Sequence, residues 1–120
     1  AACGAQCGGP ADTKNFTAML AEFRKQLDAV HPGLLLTIAS SAGPAKYSKI
    51  ELGKVQHYVD WINLMTYDLH GTWETTTNHA APLQYSQQDP TKSGFSVSRA
   101  VMGYLRAGVP AHKIVVGIPF

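Results

Sequence analysis

The chain has 120 residues, with ten Lys and Arg against eight Asp and Glu for a net charge of +2, and it is 45% hydrophobic but only 15% charged. That length fits one small domain at most, and no apolar run approaches the roughly 20 residues of a membrane helix. The cations are scattered rather than gathered on one face, which disfavours a nucleic-acid partner, and the apolar content disfavours disorder.

The first element is a helix. Asp12 stands where an N-cap is expected, and Phe16, Met19, Leu20, Phe23, Leu27 and Val30 recur at three- and four-residue spacing as one apolar stripe before His31-Pro32-Gly33 ends it. Leu34 to Ala39 is a short unalternating apolar run, as expected of a strand covered on both faces. A second helical stretch spans Ala45 to Tyr58 with a break expected at Gly53, and Val59 to Thr66 is the second strand. Tyr67 to Phe95 is long, polar and rich in Gly, Thr, Asn, Gln and Pro, a length of loop that is usually functional or disordered. Ser96 can cap a third helix carrying Val97, Ala100, Val101, Tyr104 and Leu105, closed by Gly108-Val109-Pro110, and Lys113 to Ile118 is the third strand.

Strands alternating with helices pair in parallel. An open doubly wound sheet and a partial (β/α)8 barrel both fit this order. No G-x-G-x-x-G or G-x-x-x-x-G-K-S/T motif stands at a strand-helix junction, which removes the common nucleotide reading and favours the barrel. The chain opens at Ala1 without a methionine and stops at Phe120 as an apolar run finishes, so it is expected to be an excerpt, and the lack of a signal peptide carries no information.

Cys3 and Cys7 lie four positions apart among glycines. They can close a small disulfide in an exported protein, the favoured reading, or remain thiols in a reducing compartment. A zinc site lacks its second ligand pair, because His31, His57, His70, His79 and His112 show no metal-ligand spacing and are expected at the surface or in loops. Neither a metal nor a cofactor is expected. Asn15-Phe16-Thr17 fits the N-glycosylation pattern but falls in the first turn of a helix, where it is expected to be incidental.

Both architectures bind ligands at the carboxyl ends of the strands. Alternation along the second strand puts Asn63, Met65 and Tyr67 on one face and Ile62, Leu64 and Thr66 on the other. If the first set faces a barrel axis, a phenol and the Asp68 carboxylate arrive at its mouth above a thioether floor. The plain alternative is that Tyr67 and Asp68 simply terminate the strand, and that Trp73 is a buried loop anchor.

The stretch Val59-Asp60-Trp61-Ile62-Asn63-Leu64-Met65-Thr66-Tyr67-Asp68-Leu69-His70-Gly71-Thr72-Trp73-Glu74, with Thr77 to Leu83 after it, resembles the sixth-strand region of glycoside hydrolase family 18 chitinases. Leu36 to Ala39 resembles that family's fifth strand and Val116 to Phe120 its seventh, so the resemblance spans essentially the whole chain, residues 1–120, as a partial catalytic domain.

The resemblance implies cleavage of β-1,4 links between N-acetylglucosamine units with retention, the sugar's own 2-acetamido group acting as nucleophile. It implies that Tyr67 donates its hydroxyl to that acetamido oxygen, that Asp68 helps bind the sugar and position groups near the proton donor, that Met65 lines the pocket, and that Trp73 offers an aromatic platform for a neighbouring sugar. The family's proton donor is a Glu closing a D-x-x-D-x-D-x-E motif that does not occur here and would lie upstream of Ala1. Asp60, Glu74 and Asp89 do not match it. The parent is accordingly expected to be a secreted, monomeric chitinase acting on chitin or chito-oligosaccharides, with no nucleic-acid or membrane partner, while the 120-residue chain alone is expected to be inactive. A chitinase-like lectin that has lost the acid is the alternative, and a relative acting on the chitobiose core of glycoproteins is a third reading.

Overall fold

The computed structural model describes residues 8–120. Cys3 and Cys7, and the disulfide expected of them, lie outside the described residues.

Helix α1 spans Asp12–Val30, and its N-cap is Ala11 rather than Asp12. Asp12 instead sits in the first turn, where its carboxylate accepts the Gly9 N–H at 2.9 Å and meets the positive end of the helix dipole. Leu20 and Thr17 are buried, whereas Met19 and Phe23 on the same stripe stay exposed, because the described elements cover only one side of α1.

Three strands, β1 (Thr37–Ser41), β2 (Trp61–Met65) and β3 (Ile114–Val116), form one parallel sheet in the order β1-β2-β3. The register pairs Ile38 with Ile62 and Ser40 with Leu64, and on the other side Ile62 with Ile114. Register partners share a face, so one face of the sheet carries Ile38, Ile62, Leu64 and Ile114 beneath the helices and the other carries Ala39, Asn63, Met65 and Val115. The covered face packs against Leu20 of α1, Leu52 and Val55 of α3 (Leu52–Val55), and Ala100 and Tyr104 of α4 (Val97–Arg106). Burying Ile62 and Leu64 contributes about 1.5–3 kcal/mol each.

Several expected boundaries move, β2 and β3 being shorter than the expected Val59 to Thr66 and Lys113 to Ile118. The strand expected from Leu34 begins at Thr37, and Leu35 is 63% exposed. Leu34 to Leu36 is instead a lead-in tied down by polar groups: Arg24 donates to the Leu34 carbonyl at 2.8 Å, and the Asp60 carboxylate accepts the Leu36 N–H at 2.7 Å. The expected helix from Ala45 to Tyr58 is two separate turns, α2 (Pro44–Tyr47) and α3, broken at Glu51 rather than Gly53. On one continuous helix Tyr47 and Ile50 would share one face and Leu52 and Val55, five residues further on, another about 140° round at 100° per residue. All four pack on the core, which a continuous helix could not achieve. Gly53 serves close approach, since a Cβ there would lie 3.0 Å from the Ala107 carbonyl at the end of α4.

Helix α4 starts as expected, with the Ser96 hydroxyl accepting the Arg99 N–H at 3.3 Å, and ends at Gly108, whose φ of +90° a side chain rarely adopts. A 3-10 turn at Ala111–Lys113, unforeseen from the sequence, precedes β3 and lets the Lys113 amine donate to the Gln56 and Val59 carbonyls at 2.6 and 2.9 Å.

Candidate active site at the carboxyl ends of the strands

The alternation of β2 is seen directly in burial. Ile62, Leu64 and Thr66 are buried under the helices, while Asn63, Met65 and Tyr67 lie on the opposite face. Met65, opposite Ser41 at the end of the ladder, is 37% exposed on the bare face. Tyr67 is half-buried, its ring lying against Gly117 just past β3. The next residue, Asp68, is exposed and adopts a φ of +50°. Aspartate tolerates this left-handed conformation better than most residues, and there it turns the chain out of the strand direction into the long loop.

Trp73 is 67% exposed, so it is not a buried anchor. Its ring lies close against the bare α-carbon of Gly71, where any Cβ would collide with it. The turn that presents it is closed by the Glu74 N–H bonding to the Gly71 carbonyl at 3.0 Å and by the Glu74 carboxylate bonding to the His70 Nδ1 at 3.0 Å. His70 lies in the loop, as expected, and is 2% exposed there, its ring packed beside Glu74 and Phe95. Its Nε2 has no partner among the described residues.

Sequence reasoning did not single out the residue that organises the rest of the loop. Asp89 is buried and accepts from the Thr91 hydroxyl at 2.7 Å, the Thr91 N–H at 2.9 Å, the Asn78 amide at 2.8 Å and the Ser93 hydroxyl at 3.3 Å. The Thr91 hydroxyl above all, then the Thr91 and Gly94 backbone and the Asn78 amide, hold its carboxyl well below the ordinary range in spite of burial. The signal was the Asp89-Pro90-Thr91 turn chemistry. Asp60 and Glu74 are likewise engaged, with the Leu36 N–H and with His70. Among the described residues no three His, Cys, Asp or Glu side chains converge as a metal site requires.

A groove of about 640 Å³ between α2 and α4, lined by Tyr47, Phe95, Ser98, Arg99 and Arg106, contains none of Met65, Tyr67, Asp68 and Trp73. At the end of β2 stand a partly exposed thioether, a half-buried phenol and an exposed carboxylate, with an exposed indole in the loop that follows. They suit a ligand with an apolar face and several hydrogen-bonding groups.

Comparison with known proteins bears on the family and the fold. Chitinase A1 of Niallia circulans is 42% identical over 120 residues, covering 92% of this chain and 17% of that protein. Chitinase ChiA74 from Bacillus thuringiensis superposes with a TM-score of 0.89 at 41% identity, over 95% of this chain and 19% of that one. An Ostrinia furnacalis Group II chitinase catalytic domain 2 mutant, solved in complex with penta-N-acetylchitooctaose, superposes with a TM-score of 0.87 at 34% identity, over 94% of this chain and 29% of that one. The chain thus spans less than a third of each of these relatives, and its arc of parallel strands and outer helices is part of their (β/α)8 barrel. The family model described as "Glycosyl hydrolases family 18" matches residues 4–120, and the chain belongs to that family.

Proposed function

We propose that this chain supplies strands five to seven of a family 18 catalytic barrel that hydrolyses β-1,4 linkages in chitin or chito-oligosaccharides. The observation that carries the reading is the arrangement at the end of β2: Met65 and Tyr67 share the bare face, and Asp68 follows with a φ of +50° at the point where a barrel opens to solvent. The kinship with a chitinase domain solved with a chito-oligosaccharide supports the substrate class.

In this reading the substrate's 2-acetamido carbonyl attacks its own anomeric carbon. A Glu from a preceding strand, outside this chain, protonates the departing glycosidic oxygen, and water later opens the cyclic intermediate with retention. The reacting amide must be held in attacking geometry while charge develops on it. Tyr67 donates its O–H to the acetamido oxygen, a fixed dipole acting where water is excluded. Asp68 orients the sugar and the groups beside the proton donor, Met65 lines the floor, and Trp73 stacks on an adjacent ring. The enzyme acts outside the cell as a monomer, where a polymeric substrate is met.

The test is Tyr67→Phe in the full-length gene product, assayed on a chito-oligosaccharide. The expected fall in kcat is about 10²-fold, the usual loss for one oriented donor. An unchanged rate with intact folding removes Tyr67 from the mechanism.

A further inference from the structure

We infer that Gly117 and Thr66 are positioning residues for the Tyr67 hydroxyl, an inference that rests on the role proposed for Tyr67. Pairing between β2 and β3 continues one residue past the ladder: the Gly117 N–H bonds to the Leu64 carbonyl at 2.9 Å. The Gly117 carbonyl in turn accepts the Thr66 hydroxyl at 2.7 Å, and Thr66 is fully buried. Both polar groups of Gly117 are therefore held, one by β2 and one by the residue just past it, and the bare α-carbon between them is where the Tyr67 ring rests. A Cβ at this position would stand 2.7 and 3.2 Å from the Tyr67 ring carbons and 2.9 Å from the Leu64 carbonyl oxygen.

Backbone conformation does not explain the glycine. Among the described residues the glycines with positive φ are Gly33, Gly94 and Gly108, and Gly117 is not one of them. What the position requires is the absence of a side chain. Thr66 and Tyr67 are consecutive and point to opposite sides of β2. Thr66 fixes the height of Gly117 from the helix-covered side, and Gly117 supports the ring from below on the other. The contact falls on the Cε1–Cδ1 edge of the ring, Cε1 being bonded to the carbon that bears the hydroxyl, so a ring pushed aside there carries the hydroxyl with it. Misplacement by about 1 Å can cost about 10²-fold in rate.

The experiment is a double-mutant cycle in the full-length gene product, combining Gly117→Ala with Tyr67→Phe and reading kcat and KM on a chito-oligosaccharide together with thermal unfolding. Gly117→Ala is expected to lower kcat by about 10²-fold with little change in KM, and to cost nothing further in a Tyr67→Phe background. A purely structural glycine would multiply its effect onto that of Tyr67→Phe, and that result, or a kcat within about twofold of wild type, overturns the inference. If Tyr67→Phe alone leaves kcat unchanged, the role proposed for the hydroxyl is what fails, which separates the two outcomes. Should Gly117→Ala not fold, Thr66→Val removes the tie without adding bulk. Its expected loss of about tenfold in kcat must disappear in the Tyr67→Phe background, and an equal loss in both backgrounds overturns the inference.

Discussion

Replacing Tyr104 by Phe is expected to destabilise the full-length fold by about 2–4 kcal/mol, almost wholly through two hydrogen bonds. The ring of Tyr104 is completely buried and packs at a 58° tilt against Tyr47 with centroids 5.1 Å apart, and Phe keeps that burial and contact. The hydroxyl lies 2.6 Å from the Ser40 Oγ and 2.8 Å from the Ser41 carbonyl. Its one proton goes to the carbonyl, so Ser40 must donate to it. Removing the oxygen leaves the buried Ser40 hydroxyl without its acceptor, at about 1–3 kcal/mol, and forfeits roughly 1 kcal/mol at Ser41. Ser40→Ala in the Phe background should restore about 1 kcal/mol, because no stranded hydroxyl then remains. Urea unfolding with an unchanged m-value is the assay. A second readout follows from ionisation. Burial pushes the Tyr104 hydroxyl up, with the Ser40 bond opposing and Tyr47 adding. The folded pKa is therefore above that of the unfolded chain, so the contribution is complete below about pH 10 and is lost as pH rises beyond it, where the unfolded tyrosine ionises first. Tyr104→Phe should flatten that alkaline limb. A loss below about 0.5 kcal/mol, or an alkaline limb that survives the substitution, refutes the reasoning.

Asp89→Asn should loosen the loop from Asn78 to Gly94, measured as faster limited proteolysis there. Because the folded carboxyl titrates below its unfolded value, its stabilisation is present above about pH 4 and is lost as pH falls through the lower folded value, so the Asn variant should show a flatter acid limb. Identical acid limbs would discard Asp89 as the loop's organiser. Trp73→Ala should raise KM for chito-oligosaccharides by about 3- to 10-fold, from an aromatic contact of about 0.5–1.5 kcal/mol, while unfolding stays unchanged because the ring is exposed. An unaltered KM would mean that Trp73 bears no sugar. The 120-residue chain by itself should release no reducing ends from chito-oligosaccharides, since its sheet keeps one bare face and exposed edges. Turnover that Tyr67→Phe abolishes in this chain would contradict that.

Much of the architecture was legible in order and periodicity. The stripe from Phe16 to Leu27 and the Ser96 cap specify helices locally, and alternation along Ile62 to Tyr67 already separates a helix-covered face from a bare one, because side-chain direction in a strand has a period of two. The match of Met65-Thr66-Tyr67-Asp68 to a family pattern pointed to the strand end that the fold presents. Other features depend on partners far away in the chain. An apolar run does not say where its ladder begins, and it was Asp60 binding the Leu36 N–H that held Leu34 to Leu36 outside β1. The split of the second helix followed from Ile50 and Leu52 both reaching the core. His70 became buried only because Glu74 and Phe95 close around it. The seat of the Tyr67 ring on Gly117, fifty residues away in the chain, lies still further beyond local reading. Periodicity is a property of neighbours along the backbone, whereas burial, close approach and side-chain pairing arise only when distant segments share the same space.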